Sequence, residues 1–223
     1  MSLVIVGTVA FDAIETPFGK TDKILGGAAT FISLAAAKLY NDVKVISVIG
    51  GDFPEKYINL LNNAGVQTEG IKKIPSGKTF FWSGKYHIDM NSRETLTTEL
   101  NVLADFNPQL PDSYKDCSYL MLGNLTPAIQ KSVIQQLPVR PKLIVMDTMN
   151  FWMNTALDDL LEVLTMIDVL TINDEEARQL SGEYSLVKAA RKILSMGPKF
   201  LIIKKGEHGA LLFHEDQVFF APA

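Results

Sequence analysis

Short apolar runs rich in β-branched residues alternate with helix-forming stretches along almost the whole chain, and this alternation constrains the fold more than any other feature. Residues 3–7 and 43–49 are two such runs, and an alanine-rich stretch at 28–39 lies between them. Strands that alternate with helices of about 10–15 residues indicate a parallel, doubly wound sheet with helices on both faces. We therefore predict an α/β fold of this kind, in a single domain over residues 1–223.

A second alternating series occupies the other half of the chain. It predicts strands at Tyr119–Leu122, Leu143–Asp147, 169–172 and Phe200–Lys204, helices at 127–137, 154–164, 174–180 and 186–196, and a closing hairpin of 210–213 with 218–220. Ahead of it, residues 79–88 alternate bulky with small or polar side chains, which is typical of exposed-edge strands and predicts a flap. Ligands of parallel sheets bind outside the carboxyl ends of the strands, so we look for functional residues there.

The composition excludes several classes of function. A formal net charge of -4 disfavours a nucleic-acid-binding protein, whose surface would carry a basic patch. The one cysteine, Cys117, excludes an internal disulfide framework and fits a reducing compartment. Residues 1–7 lack the features of a signal peptide, and no run approaches the roughly 18 apolar residues of a membrane helix. We therefore expect a cytoplasmic protein that binds neither nucleic acid nor membranes.

Three features in the N-terminal part of the chain could bind a small molecule. Gly26 and Gly27 stand at a strand-to-helix junction, where they could let a ligand approach the backbone or simply form the turn that starts a packed helix. Asp12 follows the first strand, where its carboxylate could accept hydrogen bonds from a polyol or sugar, or lie in a plain surface loop. Asp52 follows the strand at 43–49 and could act in the same way or cap the next helix.

Two further features follow strands of the second series. Asn173 and Glu176 have the spacing of N-cap and N3 residues, which predicts a capping box. They could also lie near the phosphates of a nucleotide, with Glu176 orienting a magnesium ion through water. Lys204 begins a loop that contains Gly206 and Gly209, which could line a nucleotide pocket or form a hairpin turn with solvated lysines.

Motifs of other nucleotide-binding classes are absent from the sequence. There is no Gly-x-x-x-x-Gly-Lys-Ser/Thr run, which excludes a P-loop NTPase, and the segment after the first strand lacks the Gly-x-Gly-x-x-Gly of a Rossmann oxidoreductase. The three histidines, His87, His208 and His214, have no metal-ligand spacing.

The order and spacing of the motifs along the whole chain make a set that is more specific than any one of its members. The set comprises Asp12, Gly26-Gly27-Ala28-Ala29-Thr30-Phe31, Gly51-Asp52-Phe53, Gly65-Val66-Gln67-Thr68, Asn173-Asp174-Glu175-Glu176 and Lys205-Gly206-Glu207-His208-Gly209. It resembles the ribokinase (PfkB-type) family of carbohydrate kinases. The resemblance implies a ribokinase-like fold and transfer of the γ-phosphate of ATP, with Mg²⁺, to a hydroxyl of a sugar, polyol or nucleoside.

The resemblance also implies roles for individual residues. Asp12, Gly26 and Gly27 would bind the acceptor, and residues 10–18 and 79–103 would form a β lid over it, whose edge could support a homodimer. A second set would bind the nucleotide and its metal, and it comprises Asn173, Lys204, Gly206 and Gly209, with Glu176 at the Mg²⁺ ion.

Two departures from the family pattern bear on function. Phe31 stands where the family usually has a sugar-binding asparagine, so the acceptor need not be a simple ribose or fructose. The family's Gly-Ala-Gly-Asp segment, whose aspartate is the catalytic base, is expected just beyond Ala223, so we assign no catalytic residue. We therefore expect impaired phosphoryl transfer by this incomplete form. The alternative is a non-catalytic small-molecule-binding or regulatory remnant of the fold.

Overall fold

The computed structural model describes residues 1–90 and 92–223, which fall into two units, Met1–Cys117 and Ser118–Ala223. The first unit contains, in chain order, β1 (Leu3–Val6), β2 (Ala10–Thr16), β3 (Gly19–Lys20), β4 (Ile24–Gly26), α1 (Ala28–Ala36), β5 (Val43–Gly50), α2 (Glu55–Asn63), β6 (Val66–Ile74), β7 (Phe81–Tyr86), β8 (Arg93–Glu99) and α3 (Asp112–Lys115). The second contains β9 (Tyr119–Leu122), α4 (Pro127–Gln135), β10 (Leu143–Asp147), α5 (Asn150–Thr155), α6 (Leu157–Leu164), β11 (Val169–Asn173), α7 (Asp174–Ser181), α8 (Leu186–Leu194), β12 (Phe200–Lys204), β13 (Ala210–His214) and β14 (Gln217–Ala221).

The main sheet of the first unit has three parallel strands in the order β1-β5-β6. The β-branched residues that mark β1 and β5 in the sequence form its interior, and Ile5 and Val45 are both 0% exposed. Burial of such side chains is the main favourable contribution to folding, at about 25 cal/mol per Å² of apolar surface. The predicted strand, helix, strand order is confirmed here. Among the described helices of the chain, none is both long and apolar enough to cross a membrane.

The first unit also has a second, smaller sheet. Its strand order is β3-β2-β7-β8, and β4 pairs with β2. The segments predicted to form a β lid, 10–18 and 79–103, supply β2, β7 and β8, so the existence of the small sheet is confirmed. Every described residue of β8 is exposed, as expected for an edge strand. The role of the sheet as a lid stays a prediction.

Thr79 anchors the chain just before β7. Its N–H and its hydroxyl both donate to Oδ1 of Asp52 at 2.7 Å, and its Oγ1 accepts a hydrogen bond from the N–H of Gly50 at 2.9 Å. Helix α2 has Pro54 as its N-cap, without a side-chain capping bond. The capping alternative for Asp52 is therefore wrong, because its carboxylate holds the entry to the small sheet instead.

The sheet of the second unit has the order β14-β13-β12-β11-β10-β9. Strands β9 to β12 are parallel, whereas β12, β13 and β14 are successively antiparallel, which confirms the closing hairpin. The strand centres are fully buried, and Leu120, Ile144 and Leu201 are each 0% exposed. Both units therefore have the mostly parallel, helix-flanked organisation that the sequence predicts.

One predicted helix, 154–164, is wrong in its extent. The structure has two shorter helices, α5 and α6, which meet at Ala156, whose φ of -148° and ψ of 43° lie outside the helical region. Asp158 and Asp159 occupy the first turn of α6. Carboxylates there stabilise the positive end of a helix dipole, which favours a new N-terminus at this point.

Asp168 joins the amino ends of three parallel strands in the second unit. It is 3% exposed, and its Oδ2 accepts hydrogen bonds from the N–H of Ile144 and from Arg140, both at 2.9 Å. The Nζ of Lys199 lies 3.3 Å from Oδ1. Burial alone would raise the pKa of Asp168, but the Ile144 N–H, Arg140 and Lys199 outweigh it and hold the pKa below its ordinary value. The carboxylate is therefore a fully engaged structural group.

Candidate functional site

Strand β2 of the small sheet holds Asp12 against the glycine pair. Ala10 and Asp12 pair with Gly26 and Ile24 of β4, and the Asp12 carboxylate lies over Gly26, where a Cβ atom would overlap it. A larger residue at position 26 would displace this carboxylate. In the described structure, Asp12 and the glycine turn therefore lie together.

Gly27 is the N-cap of α1 and has a φ of 95°, a conformation that favours glycine. A Cβ atom at this position would also overlap the carbonyl oxygen of Thr8. Thr8 in turn binds the start of the helix, since its Oγ1 accepts from the N–H of Ala28 and its carbonyl from that of Ala29, both at 2.9 Å. The glycine pair therefore starts the packed helix and also leaves room for the Asp12 carboxylate.

The surroundings of Asp12 change its acidity. Burial raises the pKa of the carboxyl, and the backbone N–H of Gly27 opposes part of this effect. Among the residues that the structure describes, no basic side chain forms a salt bridge with Asp12. A desolvated carboxylate with little internal compensation can accept strong, charge-assisted hydrogen bonds from ligand hydroxyls.

Phe31 lies in the first part of α1, one turn beyond Gly27. Its side chain is strongly exposed, at 59%. The ring is therefore not part of the core, and its exposed surface is open to contact with another molecule.

Asn173 and Glu176 form the predicted capping box at the start of α7. The N–H of Glu176 donates to Oδ1 of Asn173, and the N–H of Asn173 donates to Oε2 of Glu176, both at 2.7 Å. Glu176 is only 6% exposed. The box fixes the first turn of α7 at the carboxyl end of β11, where the positive end of the helix dipole favours an anion.

Lys204 ends the neighbouring strand, directly beside Asn173. The two residues are register partners on β11 and β12. The Nζ of Lys204 lies 3.0 Å from Oδ1 of Asp147, which ends β10. Burial raises the pKa of Asp147 and Lys204 opposes this effect. A lysine, a helix N-terminus and a part-buried carboxylate thus meet at one edge of this sheet.

The sequence does not predict the ion pair between Asp147 and Lys204. It is 57 residues from Lys204, and only the parallel order β10-β11-β12 brings them together. Gln130, which is 1% exposed, holds the backbone here, since its side-chain amide donates to the carbonyl oxygens of Gly123 and Asp147, both at 3.0 Å. A carboxylate that ends a buried strand is the sequence signal that could have indicated Asp147.

The loop after β12 contains the other two nucleotide-binding candidates. Gly206 and Gly209 have φ values of 55° and 82°, and the N–H of Lys205 donates to the carbonyl of Gly209 at 2.8 Å. A Cβ atom at Gly209 would overlap the carbonyl oxygen of Ala221 in β14. The turn between β12 and β13 is therefore confirmed, whereas binding of a nucleotide by these glycines stays a prediction.

The described residues include no group of three or more His, Cys, Asp and Glu side chains with the geometry of a metal site. A magnesium ion could still be held by one carboxylate, because Mg²⁺ keeps several water ligands and binds substrate phosphates. Glu176 lies at a helix N-terminus that suits phosphate and could take this role through water. The residues present therefore fit a magnesium–nucleotide complex.

Two solved structures define the class of fold. The nucleoside kinase of Methanocaldococcus jannaschii, an archaeal member of the ribokinase family, matches with a TM-score of 0.76 and 18% identity, covering 100% of this chain and 76% of its own. The nucleoside kinase of Burkholderia thailandensis, solved with inosine, matches with a TM-score of 0.78 and 18% identity, again over 100% and 76%. The fold is that of ribokinase-type kinases.

The model of the pfkB family carbohydrate kinases matches residues 2–223, and this chain belongs to that family. A cytidine kinase of Thermococcus kodakarensis is 25% identical over 217 residues, which cover 96% of this chain and 76% of the relative. The family expected from the motif set is confirmed.

Proposed function

We propose that this protein transfers the γ-phosphate of ATP to a hydroxyl group of a sugar, polyol or nucleoside. The observation that carries the proposal is Asp12, a part-buried carboxylate of raised pKa that lies against Gly26 at the N-terminus of α1. Family membership supports the reaction class, and the surroundings of Asp12 support recognition of a hydroxylated acceptor.

The acceptor would be bound within the first unit. Asp12 would accept hydrogen bonds from two ligand hydroxyls, while Gly26 and Gly27 allow the ligand to approach the backbone. Phe31 would contact the ligand through its exposed ring rather than through an amide. The small sheet, with β2, β7 and β8, would act as a lid that excludes water from these contacts.

The nucleotide would be bound within the second unit. The N-terminus of α7 and the Nζ of Lys204 would hold phosphate oxygens, and the loop with Gly206 and Gly209 would line the nucleotide. Glu176 would position a magnesium ion through water, and that ion would neutralise charge on the transferred phosphoryl group. Asn173 would keep this turn of the helix in place.

Two further parts of the proposal concern the environment of the protein. We propose a cytoplasmic location, which fits the single buried Cys117. We also propose a homodimer formed through the small sheet, because β8 is an exposed strand at the edge of that sheet.

The test is a turnover assay with magnesium–ATP and a panel of sugars, polyols and nucleosides. We expect acceptor-dependent formation of ADP at an impaired rate. Asp12→Asn should lower kcat/KM for the acceptor about 10- to 150-fold, the usual effect of losing a hydrogen bond to a charged group.

Glu15→Gln provides the matched control for this substitution. Glu15 lies on the same strand, three residues further, and forms a salt bridge with Lys85 at 3.2 Å. The control should change kcat/KM little. Acceptor binding without ADP formation would instead support a non-catalytic binding protein. A kcat/KM in Asp12→Asn equal to that of the parent protein would show that Asp12 is not part of the acceptor site.

A further inference from the structure

The carboxyl end of β5 holds the small sheet at two points, one for each of its two central strands. Ser47 accepts a hydrogen bond from the N–H of Val9 at 2.9 Å, directly before β2 begins. Further along the same strand, the N–H of Gly50 donates to Oγ1 of Thr79 at 2.9 Å, two residues before β7 begins. Both strands therefore enter the small sheet from positions that β5 fixes.

Asp52, in the turn after β5, reinforces the second of these attachments. Its Oδ1 accepts hydrogen bonds from both the N–H and the hydroxyl of Thr79, each at 2.7 Å. Hydrogen bonds to an ionised acceptor are stronger than those between neutral groups. Thr79 is 1% exposed, and its carbonyl oxygen accepts from Nδ2 of Asn101 at 3.0 Å. The N–H, the carbonyl and the hydroxyl of Thr79 are therefore all engaged.

The segment before β7 packs backbone to backbone on the turn after β5. A Cβ atom at Gly50 would overlap backbone atoms of residues 77–79, and one at Gly51 would overlap the carbonyl oxygen of Pro75. The N–H of Gly51 also donates to the carbonyl oxygen of Gly77 at 2.9 Å. The Asp52 carboxylate thus completes a close contact between the two segments.

Thr79 is connected to the acceptor carboxylate through the backbone of the small sheet. The next residue, Phe80, accepts at its carbonyl oxygen a hydrogen bond from the N–H of Phe11 at 2.9 Å. Asp12 directly follows Phe11. A displacement of Thr79 would therefore move the part of β2 that carries Asp12.

We infer that Asp52 is a positioning residue for the acceptor, which fixes Asp12 through Thr79. The inference rests on the proposed role of Asp12 and adds a residue that does not itself touch the ligand. Binding groups must be held within about 0.5 Å of their productive geometry, and a displacement of about 1 Å can cost roughly 100-fold in rate. The alternative is that Asp52 only stabilises the turn after β5, in which case its effect would be independent of Asp12.

Two pairs of substitutions test the connection. Thr79→Val removes the hydroxyl and Thr79→Ser keeps it, whereas Asp52→Ala removes the acceptor oxygen and Asp52→Asn keeps one. We would titrate ribose, myo-inositol and cytidine by calorimetry and continue with the compound that the unsubstituted protein binds most tightly. Thr79→Val and Asp52→Ala should each weaken its binding about 10-fold, and the two conservative variants should retain most of the affinity.

Asp42→Ala is the matched control for Asp52→Ala. Asp42 lies just before the other end of β5 and accepts a hydrogen bond from Nε2 of Gln67 at 3.0 Å. Its substitution should leave the acceptor affinity unchanged. Urea unfolding shows whether each variant is folded, and Thr79→Val carries the test if Asp52→Ala is not.

The decisive measurement repeats Thr79→Val in the Asp12→Asn background. If Thr79 acts through Asp12, the second substitution should weaken binding by less than about 2-fold, because the effects of coupled residues are not additive. Amide exchange of the Phe11 N–H supplies a readout without ligand, and it should be faster in Thr79→Val but not in Thr79→Ser.

The outcomes distinguish this inference from the proposed function. An equal loss of affinity in both backgrounds, or unaltered affinity in Thr79→Val, would overturn the role of Asp52 and leave the Asp12 site intact. Absence of binding of all three compounds to the unsubstituted protein would contradict the acceptor site itself and the inference with it.

Discussion

Asp12 in the first unit and Asp168 in the second are two carboxylates withdrawn from bulk water, and the structure treats them in opposite ways. Asp168 is bound by the Ile144 N–H, Arg140 and Lys199, and its pKa is lowered in spite of burial. Burial raises the pKa of Asp12, and a backbone N–H only partly offsets this. One carboxylate has its partners inside the protein, whereas we propose that the other finds them in a ligand.

The difference separates structural from functional charge. Asp168 lies at the amino ends of β10 to β12, where ligands of parallel sheets do not bind, whereas Asp147 and Lys204 end their strands at the opposite, carboxyl edge. A buried charge is tolerated only when it is paired, or when its cost serves a purpose such as binding. Substitutions should therefore have opposite consequences at the two kinds of position.

The largest effect on stability should come from Asp168→Ala. It removes the acceptor of the buried Ile144 N–H and of two cations, so we expect a loss of about 2 to 3 kcal/mol in the free energy of unfolding. Urea unfolding at pH 7 measures this loss. Because Arg140 and Lys199 are half or more exposed, the lost hydrogen bond should contribute more than the ion pairs.

The same unfolding experiment on Asp12→Asn tests whether Asp12 differs from Asp168 in its contribution to stability. This variant no longer buries a charge of raised pKa, so its stability should equal or exceed that of the parent protein. A loss comparable to that of Asp168→Ala would show that Asp12 is a structural group and would break the distinction.

A smaller effect is expected at Lys204, whose pairing with Asp147 is intermediate between the two cases. Its side chain is 51% exposed, so Lys204→Ala should change the free energy of unfolding by less than about 1 kcal/mol. It should nevertheless weaken nucleotide binding about 10-fold, because the ammonium group would contact a phosphate. Calorimetric titration with magnesium–ATP measures the affinity.

Lys205→Ala is the matched control, since this residue is adjacent but lies in the loop rather than at the end of the strand. Its nucleotide affinity should stay close to that of the parent protein. If both lysine variants lose the same affinity, the effect reflects general surface charge and not the position beside α7.

The sequence predicts the buried strands of the two mostly parallel sheets well, because a buried parallel strand is a continuous apolar run. The sequence does not predict strand β6, because many of its residues are polar and solvated. Its register with β5 also shifts partway along the strand. Gly70 accommodates that shift, because a Cβ atom there would overlap the carbonyl of Val45. Such a requirement depends on the neighbouring strand and cannot be read from local sequence.

The candidate residues were predictable where the local pattern itself specifies the geometry. The capping box of Asn173 and Glu176 needs only a spacing of three residues, and the turn at Gly27 needs only a glycine before a helix. The partnership of Asp147 with Lys204 depends on strand order. This contact arises from tertiary structure, which explains why residue spacing did not predict it.

The two carboxylates can be compared in a single titration of the unsubstituted protein from pH 7 downwards. Because burial raises the pKa of Asp12, its charge, and with it the affinity for the acceptor, should fall at a higher pH than for an ordinary aspartate. The stability that Asp168 contributes is complete above the pKa of an unfolded aspartate, about 3.9, and is lost only as the pH falls through the lowered pKa of the folded state.

We would therefore measure acceptor affinity by calorimetry and folding by circular dichroism at each pH, with Asp12→Asn as the variant that lacks the first titration. We expect the affinity of the unsubstituted protein to decrease while it is still folded, and we expect no such decrease in the weaker binding of Asp12→Asn. Affinity that stays constant until the protein unfolds would contradict the assignment of Asp12 as the acceptor-binding carboxylate.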